Sequence, residues 1–237
     1  MKKPKMRIMD HIAELRRRVL FCALFFLIAF GAGWYFSPIA QDLIVAPLQS
    51  VWADGALLWT GLADALMIRL DIALMLSAVL SLPFAMFQLF RFARPGLKGA
   101  EGKFIASVML ASPVFFVAGA AFVYFFLMPV MFEFFIGFSE EGNFASVLLP
   151  NMAGYVALCV GLMKTFGLAF QLPVILVVLN RIGFLGRESA VKARRFVWVG
   201  MFIVGAMLTP PDLVSCIALA LPLIMLFEGS LLVMKRR

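Results

Sequence analysis

Charge is scarce in this chain. Of 237 residues, 14% are Asp, Glu, Lys or Arg, against about a quarter in a soluble domain. Histidine is scarcer still, with His11 alone. The three cysteines, Cys22, Cys159 and Cys216, stand far apart in apolar runs and show no metal-ligand spacing. One histidine and no cysteine pair exclude a nitrogen–sulfur zinc site. The thiols read instead as small buried hydrophobes. Serines such as Ser77 and Ser107 lie in apolar runs, whereas His11 lies in the basic N-terminal stretch. That separation, with no pair of catalytic aspartates, excludes an intramembrane protease. No phosphate-binding P-loop pattern occurs, so no nucleotide site of that kind is expected.

What is present is apolar surface. The composition is 64% hydrophobic and the mean hydropathy is +1.02. No soluble globule hides that much, so the bilayer is the solvent. Each crossing needs roughly 20 apolar residues, and six runs use up the chain. They cover 19–36, 65–92, 104–132, 152–179, 196–208 and 213–234. The expected fold is a single all-α membrane domain, 1–237, of six transmembrane helices. The fifth is short and is followed by Thr209-Pro210-Pro211-Asp212, where two prolines stop a helix. Pro83, Pro113, Pro129, Pro173 and Pro222 predict kinked spans. Segments 43–48 and 56–62 are too short to span and read as helical pieces on the outer interface. The first run continues through Trp34-Tyr35-Phe36, an interfacial belt, and reads as a span rather than a removable leader.

The few charges are sorted. Nineteen of the 21 Lys and Arg residues fall in the N-terminus, the loops after runs two and four, and the C-terminus. The positive-inside rule then puts both termini in the cytoplasm, with an even number of spans. The net charge of +8 therefore orients the protein and does not point to nucleic acid. Only Asp10, Glu14, Glu101 and Glu188 are acids on that basic side.

Four stretches carry chemistry beyond greasiness. His11-Ile12-Ala13-Glu14-Leu15-Arg16-Arg17-Arg18 starts a helix in which Asp10 is a cap and Glu14 pairs with Arg17 or Arg18. Phe92-Ala93-Arg94-Pro95-Gly96-Leu97 is a shaped loop followed by Glu101. Leu208 to Asp212 is a rigid outer turn. In run four, Gln171 stands seven residues after Lys164, close to two helical turns, so both share one face. A lysine at that depth is costly and faces a bundle interior, a wet cavity or a partner. Arg69 and Asp71 in run two are close enough to pair locally. A small-molecule secondary transporter is the alternative reading. It calls for inverted repeats and several midplane charges; no repeat is visible and midplane charges are few.

Together these stretches resemble one family, TatC, the multispanning subunit of the twin-arginine protein translocase. The resemblance covers nearly the whole chain. It rests on His11 to Arg18, Ala46-Pro47-Leu48, Phe92-x-x-Pro95-x-Leu97 with Glu101, Phe166-Gly167 to Pro173-Val174, and Leu208 to Asp212. It implies a receptor, not an enzyme, that binds twin-arginine signal peptides of folded proteins at the cytoplasmic face of the inner membrane. The implied partners are TatB- and TatA-like single-span proteins, further copies of the chain and membrane lipids. The proton-motive force is the implied drive, with no cofactor. Carried over residue by residue, signal-peptide binding falls to Glu14, Glu101, Arg16, Phe92, Pro95 and Leu97. Structural roles fall to Pro47, Pro210 and Asp212. The polar face of run four, with Lys164 and Gln171, is read from its own residues as a contact for a partner's transmembrane helix. Carboxylates suit this task because they pair with guanidinium bidentately. One position departs: the family commonly has glutamate where this chain has Gln171, which avoids a buried charge.

Overall fold

The computed structural model describes residues 8–52, 56–93, 100–140, 149–208 and 213–234. Among them the regular structure is helical, apart from one isolated parallel bridge between Leu58 and Asn151. The helices are α1 (Ile8–Val51), α2 (Asp64–Ala93), α3 (Ala100–Phe122), α4 (Met128–Glu140), α5 (Met152–Ala169), α6 (Leu172–Ile182), α7 (Arg187–Leu208) and α8 (Leu213–Val233). A π-helical turn, Val123–Leu127, joins α3 to α4.

Helix α1 is the first surprise. It runs unbroken for 44 residues through Pro38 and Pro47, about 66 Å at 1.5 Å per residue. The run 19–36 is only its middle, and 43–48 is its last part, not a separate interfacial piece. A proline inside a helix frees the carbonyl four residues back. Here both freed carbonyls find donors. Ser37 Oγ donates to Trp34 O at 2.8 Å, and Tyr124 Oη donates to Leu43 O at 3.0 Å. With those groups satisfied the helix has no reason to stop. The segment 56–62 is also not helical: Leu58 N donates to Pro150 O at 2.9 Å, and Met152 N donates to Leu58 O at 3.0 Å. Asn151 then caps α5, its Oδ1 accepting from Ala153 N at 2.7 Å.

Run four divides. Helix α5 ends at Ala169, and a turn at Phe170 and Gln171 restarts the chain as α6, with Pro173 in its first turn. The fifth helix also differs from expectation. Helix α7 has 22 residues, but Arg187, Glu188, Lys192, Arg194 and Arg195 occupy its first half. Only its apolar part, from Phe196, is short. Among the described residues, five stretches are long and apolar enough to cross a membrane: Ile12–Val51, Asp64–Leu89, Ala106–Gly137, Met152–Arg181 and Cys216–Val233. Helix α7 is not one of them.

Packing follows membrane rules. Helix α1 lies along α2, α3 against α2 and α5, and α8 against α6 and α7. Small residues let backbones approach. A Cβ at Gly119 would stand 2.6 Å from Phe166 O, and one at Gly167 2.6 Å from the Phe116 ring. The interior holds Ile72, Val123, Val156, Val160, Phe166 and Leu219. Large apolar side chains also point outward; Leu27, Ile28, Phe125 and Phe126 are about two-thirds exposed. Lipid is the cover such residues require.

Candidate functional site

Among the described residues, three polar regions bear on function. The first sits where the start of α1 meets the end of α2. Glu14 and Arg18 are one turn apart on α1 and form an ion pair. Arg18 Nε also donates to Glu14 Oε1 at 3.1 Å. The remaining arm of the fork, Nη1, crosses to α2 and meets Gln88 O at 3.2 Å and Gln88 Oε1 at 3.4 Å. Side-chain exposure is 15% for Arg18 and 27% for Glu14, so the pair is only partly screened by solvent. Beside it, the Arg17 guanidinium lies 5.5 Å from the Phe21 ring centre, and that of Arg91 lies 5.8 Å from Phe87. These residues enclose a cavity of about 240 Å³ lined by Glu14, Arg17, Arg18, Phe21, Gln88 and Arg91. Arg16 is exposed and is not among the residues lining the cavity.

The remaining residues expected at this end fall as follows. The backbone places Phe92 in the last turn of α2 and Glu101 in the first turn of α3. Only the segment 94–99 separates those turns, so Glu101 lies at the same end of the bundle as Glu14. Pro95 and Leu97 lie outside the described residues, as do Pro210 and Asp212. Pro47 is buried near the other end of α1.

The second cluster is at Gln171. Its Nε2 donates to Ser112 O at 2.9 Å, and Ser112 Oγ donates to its Oε1 at 2.5 Å. Gln171 is buried and Ser112 fully so. Lys164 faces elsewhere: its Nζ lies 3.3 Å from Asp71 Oδ1 on α2, both side chains being about 40% exposed. The shared face expected of Lys164 and Gln171 is therefore absent, because the helix breaks between them. Asp71 also does not pair with Arg69, whose guanidinium lies over Trp34 at 5.6 Å.

The third cluster was not legible in the sequence. Arg194 on α7 reaches Glu228 on α8 at 2.6 Å, and Trp198 Nε1 donates to the same carboxylate at 3.1 Å. Arg187 Nε donates to Leu231 O at 3.0 Å. Gln88 was also missed, although an amide within an apolar run just before Phe92 was a signal.

These features define a multi-pass helical membrane protein whose described polar clusters pair charged and amide groups across neighbouring helices. The chain belongs to the TatC family: residues 10–222 match the family model of the Sec-independent protein translocase protein TatC. It is 32% identical over 227 residues to TatC of Rickettsia prowazekii, covering 94% of this chain and 90% of that one. It is 34% identical over 236 residues to TatCy of Bacillus subtilis, covering 99% and 91%. With TatC of Escherichia coli it shares 32% over 222 residues, covering 93% and 85%. The crystal structure of the twin arginine translocase receptor TatC in DDM superposes with a TM-score of 0.84 at 28% identity, over 95% of this chain and 99% of that one. The protein is thus a subunit of the Sec-independent translocase and works within a Tat complex; it is a transport component rather than an enzyme.

Proposed function

We propose that this chain is the receptor of its translocase, binding twin-arginine signal peptides of folded proteins at the N-terminal end of the bundle. One observation carries the reading: Glu14 already holds a guanidinium, the group such a ligand presents. Arginine and carboxylate pair through parallel, charge-assisted hydrogen bonds. The end of the bundle is otherwise basic and repels a dibasic ligand, so the few carboxylates must supply the attraction. Glu101, in the adjoining helix start, is the second carboxylate, and Arg16, Phe92, Pro95 and Leu97 are the further residues to which the family resemblance assigns signal binding.

In this reading the chain is one membrane domain with six crossings. Helix α7 makes the fifth through its apolar half, with its charged half among the cytoplasmic headgroups. Both termini are then cytoplasmic, as the sorting of basic residues supports. TatB- and TatA-like single-span proteins assemble around it in the inner membrane, and the proton-motive force drives transport. Lys164, part-exposed beside Asp71, is the intramembrane contact for such a partner; Gln171 is committed to Ser112.

Site-specific photo-cross-linking of a twin-arginine signal peptide to the protein in membrane vesicles tests the assignment. Glu14→Ala and Glu101→Ala are each expected to reduce the adduct by about tenfold or more, the scale of removing one partner of a partly desolvated charge pair. Wild-type cross-linking by both variants would sink it.

A further inference from the structure

The cavity at the end of α1 contains a contradiction. A receptor for arginine should offer an open carboxylate, yet its Glu14 is already engaged by Arg18 of the same helix. The contact uses the chemistry of the ligand itself, with Nε and Nη2 of one guanidinium converging on Oε1. The third nitrogen, Nη1, rests on Gln88 of α2, with the backbone carbonyl at 3.2 Å and the side-chain oxygen at 3.4 Å. Resting on the proposed receptor function, we infer that Arg18 is an internal competitor for the ligand's arginine, and that it sets the threshold a signal peptide must exceed to bind.

The physics is an exchange. An incoming guanidinium makes at Glu14 a forked contact like the one that Arg18 gives up, so the displacement offsets part of what Glu14 contributes to binding. The displaced Arg18 is not left stranded, because Gln88 holds two acceptors for it. An incoming ammonium makes a point contact and lacks the fork, so its exchange with Arg18 is unfavourable. The displacement term is common to all ligands. It therefore lowers every affinity by one factor, leaving twin-arginine peptides above the useful range and twin-lysine peptides below it. Stronger binding must then come from the second arginine and from the rest of the signal. Arg17 and Arg91 line the same cavity and add repulsion that a weakly held cation does not overcome.

The test is equilibrium binding of two synthetic signal peptides, one with twin arginine and one with twin lysine, to the full chain in mild detergent. Arg18→Gln is expected to tighten both peptides by a similar factor, about fivefold, the upper range for an incompletely buried ion pair. Arg18→Lys preserves the net charge and a donor for Gln88, and is expected to tighten both by less. It also guards against a loss of binding through misfolding. Lys192→Gln removes a positive charge from exposed α7 and is expected to change nothing. Binding by both Arg18 variants at or below wild-type strength overturns the proposal, as does equal tightening by Lys192→Gln. Glu14→Gln separates the two levels. If it binds the twin-arginine peptide undiminished, the receptor reading itself fails.

Discussion

Gln171 shows how one side chain changes the meaning of a position. A glutamate there would bring a charge into a site that is 7% exposed. The amide instead donates to Ser112 O and accepts from Ser112 Oγ, so both ends of the side chain are matched. The pair staples the turn between α5 and α6 to α3, at the level where the chain has no helical hydrogen bonds to spare. Gln171→Leu and Ser112→Ala are each expected to cost about 1–2 kcal/mol, the range for a buried hydrogen bond between membrane helices. For a chain of this length that is a fall of roughly 2–8 °C in the unfolding midpoint, measurable by thermal unfolding in detergent. Unchanged midpoints in both variants would show that the contact is incidental. Lys164 and Asp71 follow a different logic. Each alone would be an uncompensated charge among apolar neighbours; together, 3.3 Å apart and part-exposed, they form a dipole that a polar residue on another helix can address.

At the scale of elements, α1 marks the limit of what a sequence reveals. The apolar runs and the break before α7 were legible, because composition acts locally; Pro173 announced a kink in run four but not the turn that ends α5 and restarts the chain as α6. The persistence of α1 past Pro38 and Pro47 was not. The donor that satisfies Leu43 O is Tyr124, 81 residues away, on a π-helical turn that no local pattern announced. Likewise Glu14 and its pairing with Arg18 were readable at helical spacing, whereas the anchor on Gln88 depends on how α1 and α2 pack. Tyr124→Phe therefore tests the element rather than the residue. It removes the donor for a carbonyl freed by proline, and is expected to cost about 1–3 kcal/mol. Tyr155→Phe is the comparison. Tyr155 Oη donates to Ile44 O at 2.8 Å, but that carbonyl stands one residue past the one Pro47 frees and keeps its place in the helical ladder. Its loss is expected to cost less. Amide hydrogen exchange in residues 43–51 should rise in Tyr124→Phe and stay near wild type in Tyr155→Phe. The reverse order would mean that Pro47 is accommodated in some other way.

At the scale of the whole molecule, the open question is α7. Five stretches are apolar enough to cross unaided, and five crossings would leave the two termini on opposite sides. The basic residues argue for six, since the N-terminus and the C-terminus are both rich in Lys and Arg. Packing supplies the means. Helix α7 lies along α8, and its charged half is held there by Arg194 on Glu228 and Arg187 on Leu231 O. A helix that is marginal by hydropathy gains a partner surface and sheds unsatisfied polar groups. Single cysteines at Lys3, Asp54 and Lys235, in a chain with Cys22, Cys159 and Cys216 replaced, decide the matter with a membrane-impermeant maleimide. Lys3→Cys and Lys235→Cys are expected to label only in inverted vesicles, and Asp54→Cys only from outside the membrane. If Lys235→Cys labels with Asp54→Cys, α7 does not cross. If it labels with Lys3→Cys while Arg194→Ala moves it to the other side in part of the population, the α7–α8 contacts are what insert the sixth span.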